Sequence, residues 1–159
     1  MENRNVTIRP GRREDAAEAA QLWMQSAEEH TSHDPIYATS PGAERVMRRF
    51  LADLAGSNHS FLFVAEYGDR TVGFISGELR EGSPTFQAKT WASVDDVFVE
   101  PEYRNLGAGR ALLERVKAWA MERGADGVSL QVAAANQRGR KFYEGLGFRE
   151  ISVYEVFEF

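Results

Sequence analysis

The chain has 159 residues, 43% hydrophobic and 27% charged, with a formal net charge of -5 and a pI near 5.3. That size suits a single domain over 1–159 with a core of its own, and the acidic balance argues against a bulk nucleic-acid binder, which carries a basic surface, while mildly favouring cationic partners. The absence of cysteine excludes disulfides, a thiolate metal site and a cysteine nucleophile.

Along the chain, MENRNVTIRPGRRED has no apolar stretch of the kind a secretory leader needs. No apolar run approaches the ~20 residues of a membrane span, so a cytoplasmic protein is expected. VTIRP reads as a short strand, ended by Pro10 and Gly11. REDAAEAAQLWMQSAEEH predicts a helix, alanine-rich and acidic in its first turn, with Leu22 and Trp23 late in it. TSHDPIYATSPG is a loop. AERVMRRFLADLAG predicts a second helix, with Val46, Phe50 and Leu54 at helical spacing and Gly56 at its end. SFLFVAEY and RTVGFISGEL then read as strands joined by a hairpin turn at Gly68-Asp69. After the loop EGSPTFQAKT comes the strand WASVDDVFVE, stopped by Pro101.

GRALLERVKAWAMERG predicts a helix with Leu112, Leu113, Val116, Trp119 and Ala120 inward and Gly124 closing it. GVSLQVAA is a strand, NQRGRKFYEGLG a short helix and FREISVYEVFEF a final strand. The order β-α-α-β-β-β-α-β-α-β is α/β in class: a mixed central sheet, an antiparallel meander followed by a βαβ crossover, flanked by helices. The charges of RRED and RVMRRF read as solvated helix faces. Trp119 reads as core, and Trp23 and Trp91 as core or pocket wall.

The stretch PEYRNLGAGRALL sets Gly107 and Gly109 where a helix begins. Each glycine would cost about 1 kcal/mol against alanine in a helix interior. A P-loop is excluded, because no Lys-Ser/Thr pair follows; a dinucleotide fingerprint is excluded, because Leu112 stands where its third glycine belongs. A helix N-terminus nevertheless offers unpaired N–H groups and a partial positive charge. Glycine lets an anion reach that backbone without meeting a Cβ, and Arg104 and Arg110 flank the turn. The turn therefore suits a phosphate-bearing ligand.

Arg104-x-x-Gly107-x-Gly109, preceded by VFVEPEY, resembles the R/Q-x-x-G-x-G/A signature of the GNAT superfamily of N-acetyltransferases. NQRGRKFYEGLGF resembles the family's second motif at Asn136, Gly139, Phe142, Tyr143, Gly147 and Phe148. The predicted element order agrees with the family from residue 6 to near the end. The resemblance implies acetyl-CoA as cosubstrate. The two central strands would splay, and the backbone of Val97, Phe98 and Val99 would pair with the pantetheine arm as an added strand pairs with a sheet edge. The pyrophosphate would sit on Asn105, Leu106, Gly107, Ala108, Gly109 and Arg110, beside Arg104. Asn136 reads as a helix N-cap and, by the resemblance, also lies near the CoA arm. Tyr143 is the motif tyrosine, implied to lie near the CoA sulfur and to protonate the departing thiolate.

Acetylating an amine needs a base, since an amine of pKa about 10.4 is protonated at neutral pH. With no cysteine, direct attack in a ternary complex is the natural route. Asp95 and Asp96 interrupt an otherwise apolar strand, where carboxylates are costly unless used or paired, and strand alternation sends them to opposite faces. Asp95 stands where many GNAT relatives carry a glutamate proposed as base; being shorter, it would act through a water. The alternative for Asp95 is a carboxylate that holds a cationic acceptor, and Asp96 has a structural or substrate role. His30-x-x-His33 has no third ligand beside it, so no metal is expected; its segment walls the acceptor site, as the loop between the first helices does in the family. The acceptor is either a small cationic amine or a protein amine, and the rival function is a non-catalytic acyl-CoA sensor of the same fold. ISVYEVFEF reads as an edge strand suited to pairing in a homodimer.

Overall fold

The apolar runs of the chain assemble into one five-stranded sheet in the computed structural model, which describes residues 5–159; the reading of the N-terminus as lacking a leader falls partly on residues 1–4, outside the described residues. The strands are β1 (Val6–Pro10), β2 (Ser60–Tyr67), β3 (Arg70–Glu81), β4 (Thr90–Val99) and β5 (Gly127–Leu130), in that spatial order. The first four pair antiparallel, and β5 joins β4 in parallel after a crossover through a helix. The helices are α1 (Ala16–His33), α2 (Ala43–Ala55), α3 (Ala108–Glu122) and α4 (Gln137–Gly145). No helix among the described residues is long and apolar enough to cross a membrane.

Both faces of the sheet are covered, which is why β2 and β3 read as near-continuous apolar runs rather than alternating ones. On one face Leu22 of α1 and Leu51 and Leu54 of α2 pack on Leu62, Val64, Phe74 and Phe98. On the other, Leu112, Leu113, Val116 and Trp119 of α3 pack on Phe61, Phe63, Ile75 and Val94. The α3 face is thus the expected one, and Gly124, with φ of +68, ends that helix in the left-handed conformation glycine favours.

The buried stripe of α2 differs from the expected one. Leu51 and Leu54 are buried with Met47 beside them, whereas Val46 and Phe50 are exposed. Leu54 lies on the shared border of the two stripes, so helical spacing alone fits both; packing against α1 selects between them. The charges of RRED are not all solvated either. Asp15 is 9% exposed and accepts hydrogen bonds from Arg9 Nη1 (2.7 Å) and Nη2 (2.8 Å) and from the Arg12 backbone N–H (2.6 Å), which ties β1 to the start of α1.

The Arg9 guanidinium holds the Asp15 carboxyl below its ordinary range. A lowered carboxylate stabilises the fold above its unfolded pKa of about 3.9 and loses that contribution as pH falls through the folded value. Asp15→Ala is expected to cost about 2–3 kcal/mol at pH 7, below the range for a fully buried pair, because Arg9 is partly exposed and keeps Glu66. Urea unfolding should show the gap between variant and parent narrowing below about pH 4.

Two strand expectations fail. The expected strand over GVSLQVAA keeps its ladder only as far as Leu130, and residues 149–159 join no ladder. A strand is held by its partner rather than by its own propensity. After α4, Gly147 turns the chain at φ of +91 and Arg140 grips Glu150, and the segment that follows pairs with no strand.

Candidate active site

The β4–β5 ladder runs from Trp91 opposite Gly127 to Val94 opposite Leu130 and stops there. β4 continues to Val99, paired on its other side with β3 through Val97–Ile75, Phe98–Phe74 and Val99–Gly73. The strands have splayed, leaving Asp95 to Val99 without a strand partner on the β5 side. A cavity of about 250 Å³ opens at the splay, walled by Ser26, Glu29 and His30 of α1, by residues 94–99 of β4, by Gln131 and Val132 after β5, and by Asn136 and Tyr143.

The two aspartates owe their position to a β-bulge. Ser76 stands opposite Asp96 and Gly77 opposite Val94, so Asp95 is the extra residue of β4. A Cβ at Gly77 would lie 2.0 Å from the Ser93 carbonyl oxygen, so the bulged strands can approach only over glycine. The bulge resets the alternation: Ala92 and Val94 before it and Val97 and Val99 after it all pack on the α3 side. The expectation that Asp95 and Asp96 face opposite ways is therefore corrected, and both carboxylates line the cavity.

Their surroundings differ. Asp96 accepts from Trp23 Nε1 at 2.8 Å and from Ser76 Oγ at 3.4 Å. Asp95 meets the exposed guanidinium of Arg80 at 2.9 Å through Oδ1. Burial pushes both acids above the ordinary aspartate value. Arg80 draws Asp95 part of the way back, as Trp23 and Ser76 do for Asp96, while the Asp95 charge adds to the rise of Asp96. Tyr143 packs between Phe142 and Phe148, with ring centroids at 5.4 and 5.9 Å, and burial pushes its phenol up to about 12.

The glycine turn follows Pro101–Leu106, a short 3-10 segment. Gly107 has φ of +81 and caps α3, and a Cβ there would meet nothing within 4 Å. A Cβ at Gly109 would come within 3.1 Å of the Phe142 ring, so packing on α4 accounts for that glycine in part and leaves Gly107 to the backbone conformation. Asn105, Leu106, Gly107 and Arg110 lie on the exposed turn, and Ala108 is buried beneath it. Arg104 does not extend its charge into the turn, as the sequence suggested. Its Nε donates to the Val99 carbonyl at 2.7 Å, its Nη2 pairs with Glu29, and its guanidinium lies over the Phe98 ring. The Val99 carbonyl is accordingly occupied rather than free.

Asn136 caps α4 by accepting from the Gly139 N–H at 2.9 Å and also lines the cavity. His30 bonds through Nδ1 to the Ser26 carbonyl at 2.7 Å, and among the described residues no three His, Cys, Asp or Glu side chains cluster as metal ligands. Sequence reasoning did not single out Glu29, Ser76 or Arg80, or pair Trp23 with Asp96. Trp23, Ser26 and His30 share one helical stripe, a signal visible in the sequence, but their partners on β4 come only from tertiary packing.

Residues 19–148 match the model of the Acetyltransferase (GNAT) family. The chain is 30% identical over 149 residues to the uncharacterized N-acetyltransferase YhfO of Bacillus subtilis (strain 168), covering 91% of each chain. It is 26% identical over 150 residues to the uncharacterized N-acetyltransferase MJ1207 of Methanocaldococcus jannaschii, covering 94% of this chain and 63% of that protein, so it spans less than two thirds of that relative. The tetramutant of the BH1408 protein from Bacillus halodurans has the same fold, with a TM-score of 0.85 at 22% identity over 96% of this chain and 99% of that one.

Proposed function

Since the chain belongs to the acetyltransferase (GNAT) family and is an N-acetyltransferase, we propose that it moves an acetyl group from acetyl-CoA to a primary amine by direct attack within a ternary complex. The observation that carries this reading is the splay of β4 from β5, which brings an unpaired strand edge, two raised carboxyls and a protonated phenol to one cavity. Acetyl-CoA supplies the thioester. The open edge at Val97, Phe98 and Val99 takes the pantetheine arm, with the Val99 carbonyl already held by Arg104. The N–H groups over Asn105 to Arg110 hold the pyrophosphate, and Asn136 borders the arm.

Asp95 takes a proton from the acceptor ammonium through a water. The amine nitrogen then bonds to the acetyl carbon, backbone N–H groups at the splay stabilise the oxyanion, the nitrogen gives its second proton to water, the C–S bond breaks, and Tyr143 gives its proton to the sulfur and regains one from water. Asp95 is the better placed base, because Asp96 already has both oxygens engaged by Trp23 and Ser76. A non-catalytic acyl-CoA sensor would need neither raised carboxyls nor a protonated phenol beside them. The two aspartates in the cavity support a cationic acceptor, whether a free small amine or a protein amine, and the exposed C-terminal segment supports a homodimer.

Thiol release from acetyl-CoA, followed across polyamines, amino acids, aminoglycosides and peptides, tests the activity and names the acceptor; no release with any of them would favour the sensor. With the best acceptor, Asp95→Asn should lower kcat/KM at least tenfold near pH 7 and recover part of it toward the amine's own pKa of about 10.4. Asp96→Asn, whose amide oxygen can still accept from Trp23, should keep most of kcat. A raised acceptor KM with kcat intact would make Asp95 a substrate-holding carboxylate, and a crippled Asp96→Asn beside a full-rate Asp95→Asn would move the base by one residue.

A further inference from the structure

An ammonium acceptor sheds two protons on becoming an amide, and Asp95 can hold one of them. The other polar groups on the cavity wall are mostly engaged. Asp96 accepts from Trp23 and Ser76, Glu29 pairs with Arg104, and the Tyr143 phenol, pushed up to about 12, keeps its own proton. Arginines have no lone pair to offer, and Gln131 and Asn136 carry neutral amides. His30 is the base on the cavity wall that these roles do not use.

His30 follows Ser26 by one turn of α1, and both line the cavity. Its Nδ1 lies 2.7 Å from the Ser26 carbonyl oxygen and 3.4 Å from Ser26 Oγ. A carbonyl only accepts, so Nδ1 carries the hydrogen and donates it. In the neutral ring the other nitrogen, Nε2, is then a bare acceptor, and no group among the described residues bonds to it. The ring is also held in place: Tyr37 meets it edge-on at 5.6 Å between centroids, and His33 at 6.3 Å. A base fixed in this way loses no orientational freedom when it acts. Burial raises the Asp96 carboxyl, and the His30 charge works against that rise. The two groups are therefore within electrostatic reach, and an ionised Asp96 steadies an imidazolium in return.

The geometry points to His30 as the second base of the reaction: the proton that leaves the nitrogen after the N–C bond forms passes through water to Nε2. An N–H bond breaks, an Nε2–H bond forms, and the positive charge moves from the nitrogen of the tetrahedral adduct to the imidazole. The adduct thereby loses the charge that would expel the amine in place of the thiolate. Nδ1 keeps its hydrogen and its bond to Ser26 throughout. The ring is half-buried rather than enclosed, so the proton on Nε2 returns to solvent before the next turnover. This role rests on the acetyl-transfer reading and deepens it: Asp95 prepares the nucleophile, and His30 commits the adduct to product.

Two variants test it with the best acceptor at neutral pH. His30→Asn keeps an N–H donor for the Ser26 carbonyl, close to where Nδ1–H stood, and removes Nε2. General acid-base contributions run to about 10²–10⁴-fold, and His30→Asn should lower kcat at least tenfold while calorimetry gives the parent's affinity for CoA. His30→Ala opens a space the width of one ring. Added imidazole should restore part of its kcat, and more of it as the base strength of a substituted imidazole rises. A residue that only walls the cavity would show no such dependence. Thiol release from acetyl-CoA by the parent is the control. If the parent releases none with any amine, the acetyl-transfer reading fails and the second base with it. If the parent turns over and His30→Asn keeps its full kcat, the second base alone is overturned. It is overturned equally if His30→Ala is slow and no imidazole speeds it.

Discussion

Tyr143→Phe is expected to lower kcat at least tenfold, and by up to about 10³-fold, with little change in the KM for acetyl-CoA. The substitution removes one hydroxyl and keeps the ring that packs on Phe142 and Phe148, so the fold and the cavity wall stay as they are. The phenol, pushed up to about 12, is fully protonated at neutral pH and is ready to donate. A second reading follows from the same shift. The rate should show no alkaline fall attributable to Tyr143 until the pH approaches about 12, whereas an unshifted phenol would begin to titrate near 10. A wild-type kcat in Tyr143→Phe would leave the tyrosine as packing and make a water the acid.

Gly107→Val should weaken acetyl-CoA binding at least tenfold, about 1.4 kcal/mol. The position is left-handed at φ of +81 and an added Cβ would meet no protein atom within 4 Å, so a steric loss of affinity would point to the ligand. Backbone strain is the competing explanation, and the same helix supplies its control. Gly124 closes the other end of α3 at φ of +68, also with open space around it, and Gly124→Val should cost comparable stability while leaving affinity unchanged. Gly109→Val is a poorer probe, because its side chain would press on Phe142. Calorimetric titration with CoA of both variants, each shown to be folded, separates the two effects. Equal affinity in Gly107→Val and the parent would remove the turn from the phosphate site.

Much of the fold is legible in the sequence because hydrophobic period and breakers are local properties. Gly68-Asp69 turns the hairpin, Pro101 ends β4, and the α3 stripe of Leu112, Leu113, Val116 and Trp119 is the one that is buried. What could not be read is set by another element. The facing of Asp95 and Asp96 depends on Gly77 across the ladder, since only glycine admits the Ser93 carbonyl and lets the bulge form. The inward stripe of α2 depends on α1. The charge of Arg104 is taken by Glu29, which lies far away in sequence and adjacent in space. The last segment failed as a strand for the same reason: its alternation is real, but it pairs with no strand. Asp95, Asn136 and Tyr143, each tied in the sequence to a local landmark (a strand, a helix cap and a short helix), line one cavity.

The bulge at Asp95 also separates two jobs that a regular strand would merge. On a regular strand, inserting a polar residue would shift every later side chain by one step and drive apolar groups out of the core. Here the extra residue absorbs that step, so Val94 and Val97 on either side keep their core contacts while positions 95 and 96 carry little packing duty. Position 95 can therefore vary in charge, length or hydrogen-bonding character without the core being repacked, and position 96 is tied mainly to Trp23 and Ser76. Substitutions at position 95 should therefore reshape the cavity while leaving folding stability almost intact.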